Sequence, residues 1–164
     1  MKNEFEYVGS MFFDNEIDIS DPCYTRDGNC NIIDYKIKGG KYNCFIKFGL
    51  EEDYSENRIA EIMIVKYNYF PETRWEKVGI IGVDSGLAGF FNHKIEYDNN
   101  GWSELCNRLA LKEDKKCWIN FDNGFFSESG WGDGAYSVYE IRNNDKQTIA
   151  LKIVFIEYKE NNEE

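Results

Sequence analysis

Three short segments of this chain each place an aspartate beside glycine or other small residues, at residues 20–24 (SDPCY), 83–86 (VDSG) and 129–136 (SGWGDGAY). Carboxylate oxygens that converge from such loops can coordinate Ca²⁺ or Mg²⁺ or accept hydrogen bonds from sugar and nucleotide hydroxyls. An aromatic side chain beside them can stack on a ligand ring. The pattern predicts a site for a small polar, nucleotide- or sugar-like ligand. Its predicted binding residues are Asp21, Tyr24, Asp84, Ser85, Trp131, Asp133 and Tyr136.

The third segment is the most distinctive of the three. It holds three glycines, one carboxylate and two aromatic rings within eight residues. Glycine adopts positive φ and allows close approach of other groups, so this density predicts a tightly shaped loop. Alternatively, each aspartate has a structural role, because Asp beside Gly commonly accepts hydrogen bonds from the backbone of its own turn.

The sequence contains few other groups suited to catalysis. His93 is the single histidine, and the five cysteines lack zinc-ligand spacing. Residues 96–101 resemble the start of an EF-hand loop, but Asn107 stands where a bidentate Glu is needed. We therefore expect a non-enzymatic binding module with no cofactor beyond a possible Ca²⁺ or Mg²⁺ ion. A divalent-metal-assisted hydrolase built on Asp21, Asp84 and Asp133 remains an alternative.

The charge balance restricts the class of partner. Nineteen basic and thirty acidic residues give a formal net charge of −11. Such a chain repels phosphate backbones, which argues against direct DNA or RNA binding. It could instead attract a basic protein surface. A second alternative function is therefore an acidic interaction factor, of the immunity or phage counter-defence type, that occupies a basic partner.

The cysteine count and the hydropathy pattern indicate a compartment. Five cysteines with no paired spacing predict a reducing environment. The N-terminal residues contain no apolar run of signal-peptide length, and no window approaches a membrane span. The expected location is the cytoplasm, without membrane association.

Most of the chain has the composition and alternation of β-strands separated by Gly, Asn and Asp turns. The predicted strands are 5–13, 16–20, 32–38, 41–49, 58–69, 78–83, 87–91, 117–121, 135–142 and 147–158. Gly39-Gly40 predicts a two-residue hairpin between two of them. The run 78–83 is apolar enough to predict a buried strand, and 147–158 is apolar on both faces, as in a central strand.

One segment has helical spacing. Trp102, Leu105, Cys106 and Leu109 fall on one face of a helix, with Asn100 or Ser103 as its N-cap. The predicted fold class is mainly β (α+β), an antiparallel β-sandwich or curled sheet with one packed helix near 101–112. Residues 1–158 are expected to form a single β-rich domain, and residues 159–164 a flexible acidic tail.

The order of DPCY, GVDSG and SGWGDGAYSVY, followed by a strand ending in VFIEY, resembles uncharacterised bacterial and phage proteins. These are domains of unknown function marked by a VDSG segment and a late GDGxYxV loop. The resemblance implies a single β-rich domain and implies no catalytic activity.

Overall fold

A computed structural model describes residues 4–69, 74–110 and 115–158. Its strands are β1 (Glu6–Phe13), β2 (Glu16–Ser20), β3 (Ile32–Lys36), β4 (Gly40–Phe48), β5 (Ile59–Lys66), β6 (Glu76–Val83), β7 (Leu87–Phe91), β8 (Cys117–Phe121), β9 (Gly124–Glu128), β10 (Gly134–Arg142) and β11 (Thr148–Val154). One α-helix, α1 (Asn99–Ala110), lies between β7 and β8. The predicted tail, residues 159–164, lies outside the described residues.

The strands form two antiparallel sheets. The larger sheet has the order β1-β4-β5-β11-β10-β6, and the smaller has the order β3-β2-β7-β9-β8. The main hydrophobic core draws buried side chains from both sheets, for example Ile62 and Ile153 from the larger and Phe90 and Phe125 from the smaller. The prediction of a mainly β fold with one α-helix is confirmed, and of the two predicted arrangements the described residues form two antiparallel sheets.

Strand β11 runs through the middle of the larger sheet, between β5 and β10. One of its faces contributes Leu151 and Ile153 to the main core, while Ile149 and Ala150 join a second apolar cluster. This explains why the sequence of β11 is apolar at successive positions. The prediction of a central strand is confirmed.

Two predictions about the arrangement of the strands are wrong, namely the Gly39-Gly40 hairpin and the buried position of the strand at residues 78–83. Gly39-Gly40 does not close a hairpin, because β3 pairs with β2 in the smaller sheet while β4 pairs with β1 and β5 in the larger. The glycines mark a crossing between sheets, where a Cβ on Gly39 would lie 2.5 Å from the Asn15 side chain. Strand β6 is an edge strand of the larger sheet, and its Ile80 is exposed.

The helix is present with a different cap and a narrower buried face. The amide of Gly101 donates to Oδ1 of Asp98 at 2.7 Å, so Asp98 takes the capping role predicted for Asn100 or Ser103. Leu105 is fully buried, whereas Cys106 is exposed. Among the described residues, no helix combines the length and apolar character that a membrane crossing requires.

Candidate functional site

The antiparallel registers bring the three aspartate loops to one end of the molecule. Gly134 at the start of β10 pairs with Val83 at the end of β6, so Asp133 and Asp84 extend outward from the same strand pair. In the smaller sheet, Ser20 at the end of β2 pairs with Gly89 of β7, close after the 84–86 turn. We call residues 21–24, 84–86 and 129–133 together the loop end. The convergence of the three loops was expected, but their side chains play unequal parts.

Asp21 is fully buried, and its carboxylate is used within the protein. The backbone amides of Asp84 and Ser85 donate to Oδ2 at 2.7 and 2.8 Å. The amide of Cys23 and the hydroxyl of Ser85 donate to Oδ1, each at 2.7 Å. Four donors satisfy the buried charge, so Asp21 and Ser85 join the first two loops together instead of facing a ligand.

The glycine-rich loop is joined to the second loop through its backbone. The amide of Ser129 donates to the carbonyl of Gly86 at 3.0 Å. Within the loop, the Ser129 hydroxyl donates to the Gly132 carbonyl at 2.8 Å, and the Tyr136 hydroxyl donates to the same carbonyl at 2.5 Å. The Tyr136 ring packs edge-on against Phe155 at 5.1 Å between centroids. Tyr136 therefore links the glycine-rich loop to the hydrophobic core, through its hydrogen bond to Gly132 and its packing on Phe155.

Gly130 shows why this loop needs glycine. Its φ is +58°, and a Cβ there would lie 3.0 Å from Cγ1 of Ile156 and 3.1 Å from Cβ of Phe155. Both the backbone conformation and the close approach to the residues that follow β11 disfavour a side chain at this position. The loop is thus fixed by packing as well as by hydrogen bonds.

The groups that remain at the surface are Asp84, Asp133 and Trp131, with Tyr24 half-buried beside them. Trp131 is 55% exposed, and the guanidinium of Arg58 lies 4.3 Å from its ring centroid while donating to the Gly130 carbonyl at 3.0 Å. Arg58 was not predicted, because it precedes β5, far along the chain from the loop that it contacts.

An ion network lies beneath the first loop. The fully buried carboxylate of Asp18 accepts from Nε of Arg26 at 2.6 Å and from the amides of Lys94 and Asp34 at 2.8 and 3.0 Å. Burial alone would raise the pKa of Asp18, but these hydrogen bonds outweigh it and hold that pKa below its usual range. The alternation of 16–20 gave no sign of this, since Asp18 looks like an ordinary exposed position.

The buried ammonium of Lys94 supports the first loop directly. Its Nζ donates to the carbonyls of Pro22 and Ile95 at 3.2 and 3.1 Å. Burial lowers the pKa of Lys94, partly opposed by the nearby charges of Glu96 and Asp21. Together with the Asp18 network, this contact fixes the backbone on which Asp21 sits.

The thiol of Cys23, which lies in the first loop, is not activated as a nucleophile. Burial, followed by the hydrogen bond and charge of Asp21, raises the pKa of Cys23 to about 12. The described part of the chain also holds no group of three or more His, Cys, Asp or Glu side chains placed to bind a metal ion. The carboxylates of the three loops therefore do not form the cluster that the metal-assisted alternative requires.

Comparison with known proteins found no match to a family model, to a curated protein or to a solved structure. The resemblance carried by DPCY, VDSG and GDGxYxV stays a prediction.

Proposed function

We propose that this chain is a non-enzymatic binding protein and that the loop end receives a small polar ligand. The observation that carries the proposal is the division of roles among the seven predicted residues. Asp21, Ser85 and Tyr136 are used in internal hydrogen bonds, and they hold Asp84, Asp133 and Trp131 at the surface. Prearranged groups of this kind bind with a smaller entropic cost than mobile ones.

The ligand class follows from the chemistry of the remaining groups. Two carboxylates accept hydrogen bonds from hydroxyl groups, and the indole of Trp131 offers an apolar face to a ring. The net charge of −11 repels phosphate. We therefore favour a neutral, hydroxyl-rich ligand of the saccharide type over a nucleotide. The unactivated Cys23 thiol supports binding without catalysis.

A titration followed by amide NMR spectra tests the proposal. The probes are a panel of neutral mono- and disaccharides and, for comparison, nucleoside monophosphates. We expect a saccharide to perturb the amides of the loop end, and Asp133→Asn to weaken that binding about tenfold through loss of charged hydrogen bonds. Asp84→Asn and Trp131→Ala should act in the same direction.

The matched control is Asp145→Asn. Asp145 is also exposed, but it lies in the turn after β10, at the other end of the strand that begins beside Asp133. The Asp145→Asn substitution removes the same charge as Asp133→Asn and should leave saccharide binding unchanged. Equal effects of the two substitutions, or perturbation confined to residues away from the loop end, would overturn the assignment.

The second candidate function is binding to a basic protein surface, favoured by the net charge of −11 and the exposure of Asp84 and Asp133. The experimental signature of this function is an affinity for the partner that falls steeply with ionic strength.

The five cysteines are all unpaired, which supports a proposed cytoplasmic location for either function.

A further inference from the structure

A cleft opens between the two sheets, where β1 and β4 face β8. Its volume is about 540 Å³, within the range of small-molecule sites. Its apolar lining comes from Val8, Ile46, Phe48, Cys117 and Ile119. None of the residues that line the cleft belongs to the loop end, although Lys116 contacts Glu128, the residue before the glycine-rich loop.

The walls of the cleft are continuous with the hydrophobic core. Ile46 is a buried member of the main core, and Val8, Phe48 and Ile119 are partly buried side chains packed against it. At Gly9 the two sheets meet, because a Cβ there would lie 2.7 Å from Cδ1 of Ile119. An apolar group entering the cleft would therefore contact core side chains on both sheets.

The cleft also carries two lysines, Lys115 and Lys116, which begin the segment leading into β8. Nζ of Lys116 lies 3.4 Å from the Glu128 carboxylate, and that pair is solvent-accessible. Lys115 forms no ion pair with any residue that the structure describes. Adjacent cations next to apolar walls complement a ligand that has an apolar tail and an anionic head, and they stand out in a chain of net charge −11.

We infer that this cleft binds an amphiphilic anion, namely an unbranched acyl chain ending in a carboxylate. The tail lies against Val8, Phe48 and Ile119, and the carboxylate contacts Lys115 and Lys116. Burial of the tail provides most of the affinity, and the lysines fix its orientation. This inference does not rest on the saccharide site proposed above.

Calorimetric titration with octanoate, decanoate and dodecanoate, each below its critical micelle concentration, tests whether the cleft buries the apolar tail. Affinity should rise about fourfold per added methylene, because burying one CH₂ contributes about 0.8 kcal/mol. Decanol, which lacks the charge, should bind about fivefold more weakly than decanoate, and acetate should not bind. Affinity that is independent of chain length would overturn the inference.

Reversing the charge of the two lysines tests whether they contact the carboxylate of the ligand. The double variant Lys115→Glu/Lys116→Glu should weaken dodecanoate binding about tenfold or more. The matched control Lys36→Glu/Lys146→Glu makes the same change at two exposed lysines of a different cleft. Equal loss of affinity in both variants would show a general charge effect and would contradict the assigned site.

Cys117 gives a readout located inside the cleft. Dodecanoate should slow the alkylation of Cys117 by iodoacetamide several-fold, measured by peptide mass spectrometry, and leave the exposed Cys106 unaffected. Protection of neither thiol, or faster alkylation of both because the acid unfolds the protein, would reject the proposal.

Discussion

Asp21 and Asp133 carry the same chemical group in similar glycine- or proline-containing loops, yet their surroundings differ completely. Asp21 has no solvent exposure and accepts four hydrogen bonds, whereas Asp133 is exposed. A buried charge is tolerated only when its acceptor sites are filled, so the former is fixed in one geometry. An exposed carboxylate remains available to a partner.

Asp21→Asn should therefore destabilise the fold by about 3 kcal/mol, because the new NH₂ group faces backbone donors that lose their acceptor. The urea midpoint of unfolding measures this effect. Asp133→Asn is the matched control and should change stability by less than about 0.5 kcal/mol. A similar midpoint for both variants would mean that the four-donor arrangement contributes nothing to folding.

At the scale of the element, glycines in the connecting segments decide how strands and loops approach one another. Gly130 and Gly86 both have positive φ, +58° and +74°. A Cβ on Gly130 would meet Ile156 and Phe155, whereas a Cβ on Gly86 would meet no atom within 4 Å. Alanine substitutions at the two positions therefore distinguish the energetic cost of backbone strain from the cost of steric crowding.

Gly86→Ala should lower stability by about 1 kcal/mol, from the left-handed conformation alone. Gly130→Ala should lower it by about 2–4 kcal/mol, because overpacking against the β11 end adds to the same strain. Thermal or urea unfolding of the two variants measures the difference. Equal losses would indicate that the β11 end moves aside freely and that the glycine-rich loop is not held by packing.

At the scale of the whole molecule, the Asp18 network connects strands and loops of the smaller sheet. Asp18 belongs to β2, Asp34 to β3, Lys94 follows β7, and Arg26 lies in the loop between β2 and β3. The folded-state pKa of Asp18 lies below the unfolded value near 3.9. The ionised carboxylate therefore stabilises the fold above that value, and this contribution is lost as pH falls through the folded pKa.

Arg26→Gln should cost about 3 kcal/mol at pH 7, because it leaves the buried carboxylate without its cationic partner. The difference from wild type should narrow as pH falls and should disappear only below the lowered folded-state pKa of wild-type Asp18, where the carboxyl group is protonated in both proteins. Urea unfolding measured between neutral and acidic pH follows the effect. A difference that stays constant with pH would show that Arg26 acts through packing and not through the charge of Asp18.

The sequence by itself determined the mainly β class, most of the strands and the α-helix at residues 99–110. These features follow from local patterns, namely alternation, β-branched runs, helical spacing and turn residues, which act over a few neighbouring positions. The central position of β11 was predicted as well, because apolar residues occupy successive positions and so both faces of the strand.

Only the tertiary structure decided which strands pair and which carboxylates are free. Gly39-Gly40 has a hairpin signature, yet the alternative partners β2 and β5 lie elsewhere in the chain and determine the pairing. Likewise, Asp21 is distinguished from Asp133 by donors on Ser85 and Asp84, more than sixty residues away. Burial and hydrogen-bond partners are long-range properties, and a local pattern cannot carry them.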